Sequence, residues 1–196
     1  MGLAYQHSTI DPADPAANRL LLASRWPLCI RAPEGVLAST GRWIDIRIAD
    51  ESDLGIILMW VPNRTEACTM PVFHKAVLDA LKPLAGTKTL AMGDTNTGVR
   101  GLDEEASFFT ATEGQWFKDL ESHGWTDVWR HRNPSKRQYS YRHHKGAWFR
   151  IDQIFATRSM LGTVLDVQYD WGNLAPDCDT RRLSDHAALI LDVRYE

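Results

Sequence analysis

Residues 54–61, Leu-Gly-Ile-Ile-Leu-Met-Trp-Val, constrain this chain more than any other stretch. The run is apolar at odd and even positions alike and short, which reads as a strand buried on both faces. Such a strand needs a layer on each side of its sheet. Upstream, residues 42–49 partly alternate through Trp43-Ile44-Asp45-Ile46-Arg47-Ile48, and the polar turn Asp50-Glu51-Ser52-Asp53 joins the two strands into a hairpin. Pro71 suits a first helical position. Val72, Phe73, Ala76, Val77, Ala80 and Leu81 then share one helical face, which leaves His74, Lys75 and Asp79 to water. Gly86 ends that helix, and residues 87–92 form the next buried strand. A second helix is expected over 113–122, with further strands near 20–24, 126–129, 138–141, 149–156, 164–169 and 187–193. No repeat, linker or low-complexity tract divides the chain. The fold class is therefore α/β (α+β), a two-sheet β-sandwich flanked by helices, with residues 1–196 as one domain.

With 196 residues and 44% hydrophobic content, one substantial core can be buried. The net charge of −3 gives no global pull toward nucleic acid, but its distribution is uneven. Residues 128–151 hold no Asp or Glu, yet carry Arg130, Arg132, Lys136, Arg137, Arg142, Lys145 and Arg150 among Trp129, Tyr139, Tyr141, Trp148 and Phe149. Basic groups neutralise phosphates and aromatic faces stack on bases or sugars; the same composition also describes a solvated loop with core aromatics at its flanks. Cys29, Cys68 and Cys178 are odd in number and widely spaced, so neither a zinc knuckle nor a disulfide framework is indicated, and a reducing, cytoplasmic setting is expected. No apolar run reaches the roughly eighteen residues that span a bilayer, and no membrane partner is expected.

Three islands bear on chemistry: Gly93-Asp94-Thr95-Asn96-Thr97, Arg150-Ile151-Asp152-Gln153-Ile154-Phe155 and Leu183-Ser184-Asp185-His186. Each puts an acid, amide or imidazole at the end of a strand-like segment. Taken singly, each also reads as a plain turn or a half-buried strand. Together, carboxylates, an amide and a carboxylate–imidazole pair suit hydrolysis of a phosphate ester beside a divalent metal, because oxygen ligands hold a hard cation and a base takes a proton from water.

Ordered motifs over residues 20–196 resemble the endonuclease/exonuclease/phosphatase superfamily, most closely its exonuclease III and apurinic-endonuclease branch. Trp60-Val61-Pro62-Asn63 resembles the branch's aromatic-x-Pro-Asn turn, and the Gly-Asp-x-Asn of residues 93–96 follows a helix as it does there. Gly124-Trp125-Thr126-Asp127-Val128-Trp129-Arg130 and Tyr139-Ser140-Tyr141 resemble two further segments, and Arg150-Ile151-Asp152 and Ser184-Asp185-His186 complete the order. The resemblance implies a DNase I-like four-layered sandwich with its active site at one edge between two sheets. It also implies roles. His186 would be the general base or contact the scissile phosphate, held by Asp152. Asp94 would orient or deprotonate water, Asn96 would donate its amide to a phosphate oxygen, and Asp185 would help hold Mg²⁺ or Mn²⁺. Trp60, Asn63, Arg130, Arg132, Arg137 and Tyr141 would contact substrate.

Two departures stand out. Trp60 replaces the usual Tyr, so a stacking surface replaces an ionisable phenol. The branch's N-terminal Asn-bearing strand and Gln-Glu metal motif have no counterpart, so the resemblance implies an N-terminally shortened member: either a companion chain supplies the missing unit, a homodimer covers the exposed sheet edge, or the shortened chain works weakly. The function expected is metal-dependent phosphodiester hydrolysis of DNA. The alternatives are the same chemistry on RNA or a small phosphate ester, and a non-catalytic nucleic-acid-binding module.

Overall fold

The computed structural model describes residues 2–15, 17, 19–49, 53–64, 70–172 and 184–194. The turn residues 50–52, Cys68, Cys178 and Leu183 lie outside the described residues. The strands are β1 (Tyr5–Ser8), β2 (Leu21–Ser24), β3 (Leu28–Arg31), β4 (Trp43–Ile48), β5 (Gly55–Trp60), β6 (Thr89–Asp94), β7 (Trp125–Asp127), β8 (Tyr141–Arg142), β9 (Trp148–Phe149), β10 (Asp152–Thr157), β11 (Val164–Asp170) and β12 (Ala188–Val193). The helices are α1 (Gly35–Ser39), α2 (Met70–Leu81), α3 (Ala111–Ser122), α4 (Val128–Arg132) and α5 (Arg158–Leu161). Among the described residues, no helix is long and apolar enough to cross a membrane.

One six-stranded sheet, ordered β3-β4-β5-β6-β10-β7, organises the molecule. Only β5 and β6 pair in parallel; their neighbours run antiparallel. Both faces of this sheet are apolar. Trp43, Ile57, Met59, Ala91 and Phe155 meet Phe73, Val77, Leu81, Trp116 and Leu120 of α2 and α3. On the opposite face Ile44, Ile46, Leu90, Ile154 and Ala156 meet Val164, Val167 and Tyr169 of β11, together with Leu22 and Trp129. The doubly apolar run 54–61 is thus β5, at the centre of the sheet, covered by helices on one side and by the β11–β12 pair on the other. This is the helix-flanked sandwich that the sequence implied.

Several details differ from the sequence reading: β1 and β3 were not expected, and the strand near 138–141 is Tyr141–Arg142. Val72 is 55% exposed while His74 is 8% exposed, its ring stacked on Trp116 at 4.2 Å. The face of α2 that packs is Met70, Phe73, His74, Val77 and Leu81, a spacing that Val72 misses by one residue. The strand expected over 126–129 stops at Asp127, whose side chain accepts the Arg130 backbone N–H at 3.0 Å and starts α4. The strand expected over 149–156 is two strands, since Trp148–Phe149 pairs with β8 while Asp152–Thr157 belongs to the main sheet. Finally, the basic stretch 128–151 does not lie wholly in water. Arg150 is fully buried, bonded through Nε and Nη2 to Asp103 at 2.7 and 3.1 Å and through Nη2 to Asp127 at 2.5 Å.

Candidate active site

The parallel β5–β6 pair brings two strand C-termini to one edge of the sheet, and antiparallel β10 starts at that same edge. Cross-strand register therefore places Trp60, Asp94 and Asp152 side by side. Gly93 is required for this approach. Its φ is +145°, and a Cβ there would lie 1.8 Å from the Met59 carbonyl oxygen. Beyond it, Asp94 Oδ1 accepts the Asn96 backbone N–H at 2.8 Å, closing an Asx turn that holds Asn96 at φ 46°. The turn is tied down by Thr95, whose N–H and hydroxyl both donate to the Ile151 carbonyl, at 2.8 and 2.9 Å.

His186 reaches the same place along another route. The Arg142 N–H donates to the Asp185 carbonyl at 3.0 Å and the Ala187 N–H to the Ser140 carbonyl at 2.7 Å, so the strand around Tyr141 carries Asp185 and His186 to the sheet edge. There His186 Nδ1 lies 2.8 Å from Asp152 Oδ2. Asp152 is itself fixed: Ser140 Oγ accepts its N–H at 3.0 Å and Tyr169 donates its phenol to its carbonyl at 2.6 Å. The Tyr141 ring packs 4.7 Å from the imidazole.

These groups enclose a cavity of about 540 Å³ whose walls include Trp60, Asn63, Asp94, Asn96, Tyr141, Asp185 and His186. Burial pushes the Asp94 carboxyl up, the Asp152 charge adds to it, and the Asn96 N–H, His186 and Arg42 oppose; the balance lies at about 7. Burial alone would lower His186, but its bond to Asp152 and the charges of Asp152, Asp94 and Asp185 outweigh that and raise it. Burial also raises Tyr141, helped by Asp185 and Asp94, so its phenol stays a donor. The resulting site pairs a hard-to-ionise acid with an imidazole that is easily protonated, a combination suited to proton transfer near neutrality.

The structure brings together Asp94, Asn96, Asp152, Asp185 and His186 with Trp60, Asn63 and Tyr141. Trp60 lies beneath the Arg42 guanidinium, 3.8 Å from its ring centre. Asn96 spends its amide hydrogens inward, on Val61 O at 2.8 Å and Asp94 Oδ2 at 3.3 Å, rather than toward the cavity. Arg130, Arg132 and Arg137 are not among the residues that line the cavity. Arg130 bonds Asp103 and the Asn133 and Lys136 carbonyls, Arg132 the Val164 and Leu165 carbonyls, and Arg137 the Gly101 carbonyl. Sequence reasoning gave no role to Ser140 or Tyr169, which hold Asp152, nor to Arg19 in the cavity wall. Ser140 alone had a signal, as the small polar residue between two aromatics in a strand.

Among the described residues, no group of three or more His, Cys, Asp or Glu could form a metal cage. The donors present are carboxylate oxygens, and Asp94 is raised first by burial and then by the charge of Asp152 beside it. That set fits a hard divalent cation held by one or two carboxylates, with water and substrate completing the shell.

Fold and site together define a helix-flanked β-sandwich with an acid-backed imidazole at one edge of its central sheet, the architecture called DNase I-like. Solved structures with this fold include the AP endonuclease from Archaeoglobus fulgidus, with TM-score 0.74 and 18% identity over 89% of this chain and 74% of that one. The 3′ phosphatase NExo from Neisseria, bound to a product DNA hairpin, gives 0.72 and 20% over the same shares. The AP endonuclease LMAP from Leishmania major gives 0.66 and 19% over 83% of this chain and 57% of that one. No family model and no curated protein sequence matches the chain. At the level of fold, these structures agree with the resemblance to the exonuclease III and apurinic-endonuclease branch drawn from the sequence.

Proposed function

We propose that this chain is a phosphodiesterase that hydrolyses DNA in the manner of the exonuclease III and apurinic-endonuclease branch. The observation that carries the reading is the His186–Asp152 pair at 2.8 Å, on the wall of a cavity that also presents Asp94 and Asp185. Water attacks phosphorus, Asp94 takes its proton, and the P–O bond to the departing oxygen breaks. Asp152 holds the Nδ1 proton and so turns Nε2 toward the cavity, where the imidazolium donates to a phosphate oxygen and offsets the charge that builds up. Asn96 fixes the Asp94 carboxylate rather than touching phosphate. Tyr141 and Trp60 supply aromatic walls for sugar or base. Asp185, with Asp94 nearby, would hold Mg²⁺ or Mn²⁺, which when bound neutralises phosphate charge and lowers the pKa of water.

DNA is favoured because a structure of the same fold holds a DNA product. The withdrawal of Arg130, Arg132 and Arg137 from the cavity favours a second reading, in which the same residues hydrolyse a smaller phosphate ester. Incubation with duplex DNA carrying an abasic site, and separately with a small aryl phosphodiester, distinguishes the two. The expected result is metal-dependent strand cutting that chelator and His186→Ala each abolish. Folded protein that cuts neither substrate at high concentration with Mg²⁺ or Mn²⁺ would refute the proposal.

A further inference from the structure

Arg19 is the one permanently charged cation among the described residues that line the cavity; the other basic group there is His186. Its neighbours in the wall include Asp94 and Asp185, whose carboxylates when ionised repel an approaching phosphodiester, and Arg19 supplies a charge of the opposite sign at every pH. The placement of Arg19 is built rather than incidental. The Thr9 hydroxyl donates to the Gly41 carbonyl at 2.6 Å and accepts the Leu20 N–H at 3.0 Å, while the Thr9 N–H donates to the Leu20 carbonyl at 3.0 Å. Thr9 thus straps the backbone next to Arg19 onto the loop that precedes β4. The Arg19 stem crosses Gly41 there; its Cδ and Nε lie 3.3 Å from where a Cβ at Gly41 would sit. At φ +63°, Gly41 gives both the turn and the room for that crossing. The next residue is Arg42, stacked on Trp60 and close enough to Asp94 to oppose the rise of its pKa. Arg19 and Arg42 therefore form a cationic flank beside a cavity otherwise crowded with acids.

The geometry points to Arg19 as a substrate-contacting residue that binds a phosphate of the nucleic-acid backbone at the cavity wall, carried there by the Thr9 strap. The inference rests on the phosphodiesterase reading of the cavity and adds the group that would admit an anion to it. A guanidinium is suited to this task because its planar donor fork matches two phosphate oxygens at once.

The test is equilibrium binding of a short duplex carrying an abasic-site analogue, measured in chelator across a salt series, beside steady-state cleavage with Mg²⁺. Arg19→Gln is expected to weaken binding about tenfold and to reduce the slope of log affinity against log salt by about one. KM should rise by a similar factor with kcat within about twofold of the parent, and Arg19→Lys should restore the salt slope but only part of the affinity, since an ammonium supplies the charge without the fork. A merely structural arginine would leave the salt slope unchanged, and that result would overturn the inference. The binding arm needs no turnover. A chain that cuts nothing, yet whose DNA affinity depends on charge at position 19, keeps this inference and loses the activity. A chain that cuts normally while Arg19→Gln changes neither affinity nor salt slope keeps the activity and loses the inference.

Discussion

Replacing Arg150 with methionine is the sharpest test of how the site is supported. The guanidinium is fully buried and spans two carboxylates, Asp103 with no exposed side-chain surface and Asp127 with 13%. Methionine fills similar volume without charge, so the loss measures the ion network rather than a cavity. Asp103 would keep Arg130 and the Val99 N–H at 2.8 Å, and Asp127 would keep the Arg130 N–H at 3.0 Å. Both acids would nonetheless lose their closest buried partner. Breaking one side of a buried ion pair costs about 3–5 kcal/mol, and the partial compensation at Asp103 places the expected loss near the lower end, about 3 kcal/mol. Urea unfolding followed by tryptophan fluorescence would measure it, and Trp129, whose ring centre lies 5.2 Å from the Arg150 guanidinium, reports locally. Combined with Asp127→Asn, Arg150→Met should show a coupling energy of about 1–3 kcal/mol. A loss below about 1 kcal/mol, or strictly additive effects, would refute the view that this network holds the floor of the site.

Four further outcomes are expected. Gly93→Ala places a Cβ against the Met59 carbonyl at a positive φ, so it should destabilise by at least about 2 kcal/mol in the same unfolding assay. Burial lowers His74 from 6.5 to about 4, against the opposing charge of Glu113, so the fold resists protonating it. Its contribution is complete above pH 6.5 and lost as pH falls toward 4, about 3 kcal/mol in all at about 1.4 kcal/mol per pH unit; unfolding at pH 7 and 4.5 should show the gap narrowing for the parent relative to His74→Phe. Asp152→Asn should cut the cleavage rate at least about a hundredfold and bring the His186 pKa, read by NMR titration, down from its raised value. Asp185→Asn should raise the Mg²⁺ concentration for half-maximal cutting by about tenfold, while chelator removes cutting from both proteins.

Strands β4, β5, β6 and β10 of the main sheet were legible because their apolar residues repeat with the periods of strand and sheet burial and polar turns separate them, whereas β3, four residues of mostly exposed edge strand, was not. Asp94, Asp152 and His186 stood out as candidates because acids and imidazole at strand ends are otherwise poor choices for a core, and the structure brings the three together. Short-range capping was less visible: the single side-chain bond from Asp127 to the Arg130 N–H turned an expected strand into α4. His74 was misplaced because a polar ring beside a charged one suggests water, whereas its flat stack on Trp116 depends on a residue forty-two positions away. The basic stretch 128–151 misled for the same reason. Its charge was visible, but the partners that bury Arg150 and occupy Arg130 include Asp103, which no local pattern singled out.

That misreading bears on how the site works. Arg150 lies two residues before Asp152, its N–H donates to the Asp103 carbonyl at 2.9 Å, and Ser140 Oγ accepts the next two N–H groups, each at 3.0 Å. Arg150, one of the charges of that stretch, clamps the backbone that aims Asp152 at His186. The cavity wall carries a cation of its own, Arg19, with Arg42 beside it, and Arg19 lies more than a hundred positions before the stretch that looked basic. Substitution in the two places should therefore fail differently. Loss of charge at Arg19 should weaken DNA binding and lower its salt slope, whereas loss at Arg150 should lower stability and the catalytic rate together with the salt slope unchanged. If Arg150→Met instead left the protein as stable as the parent and shifted only the salt dependence of DNA binding, the division between the two arginines would be reversed.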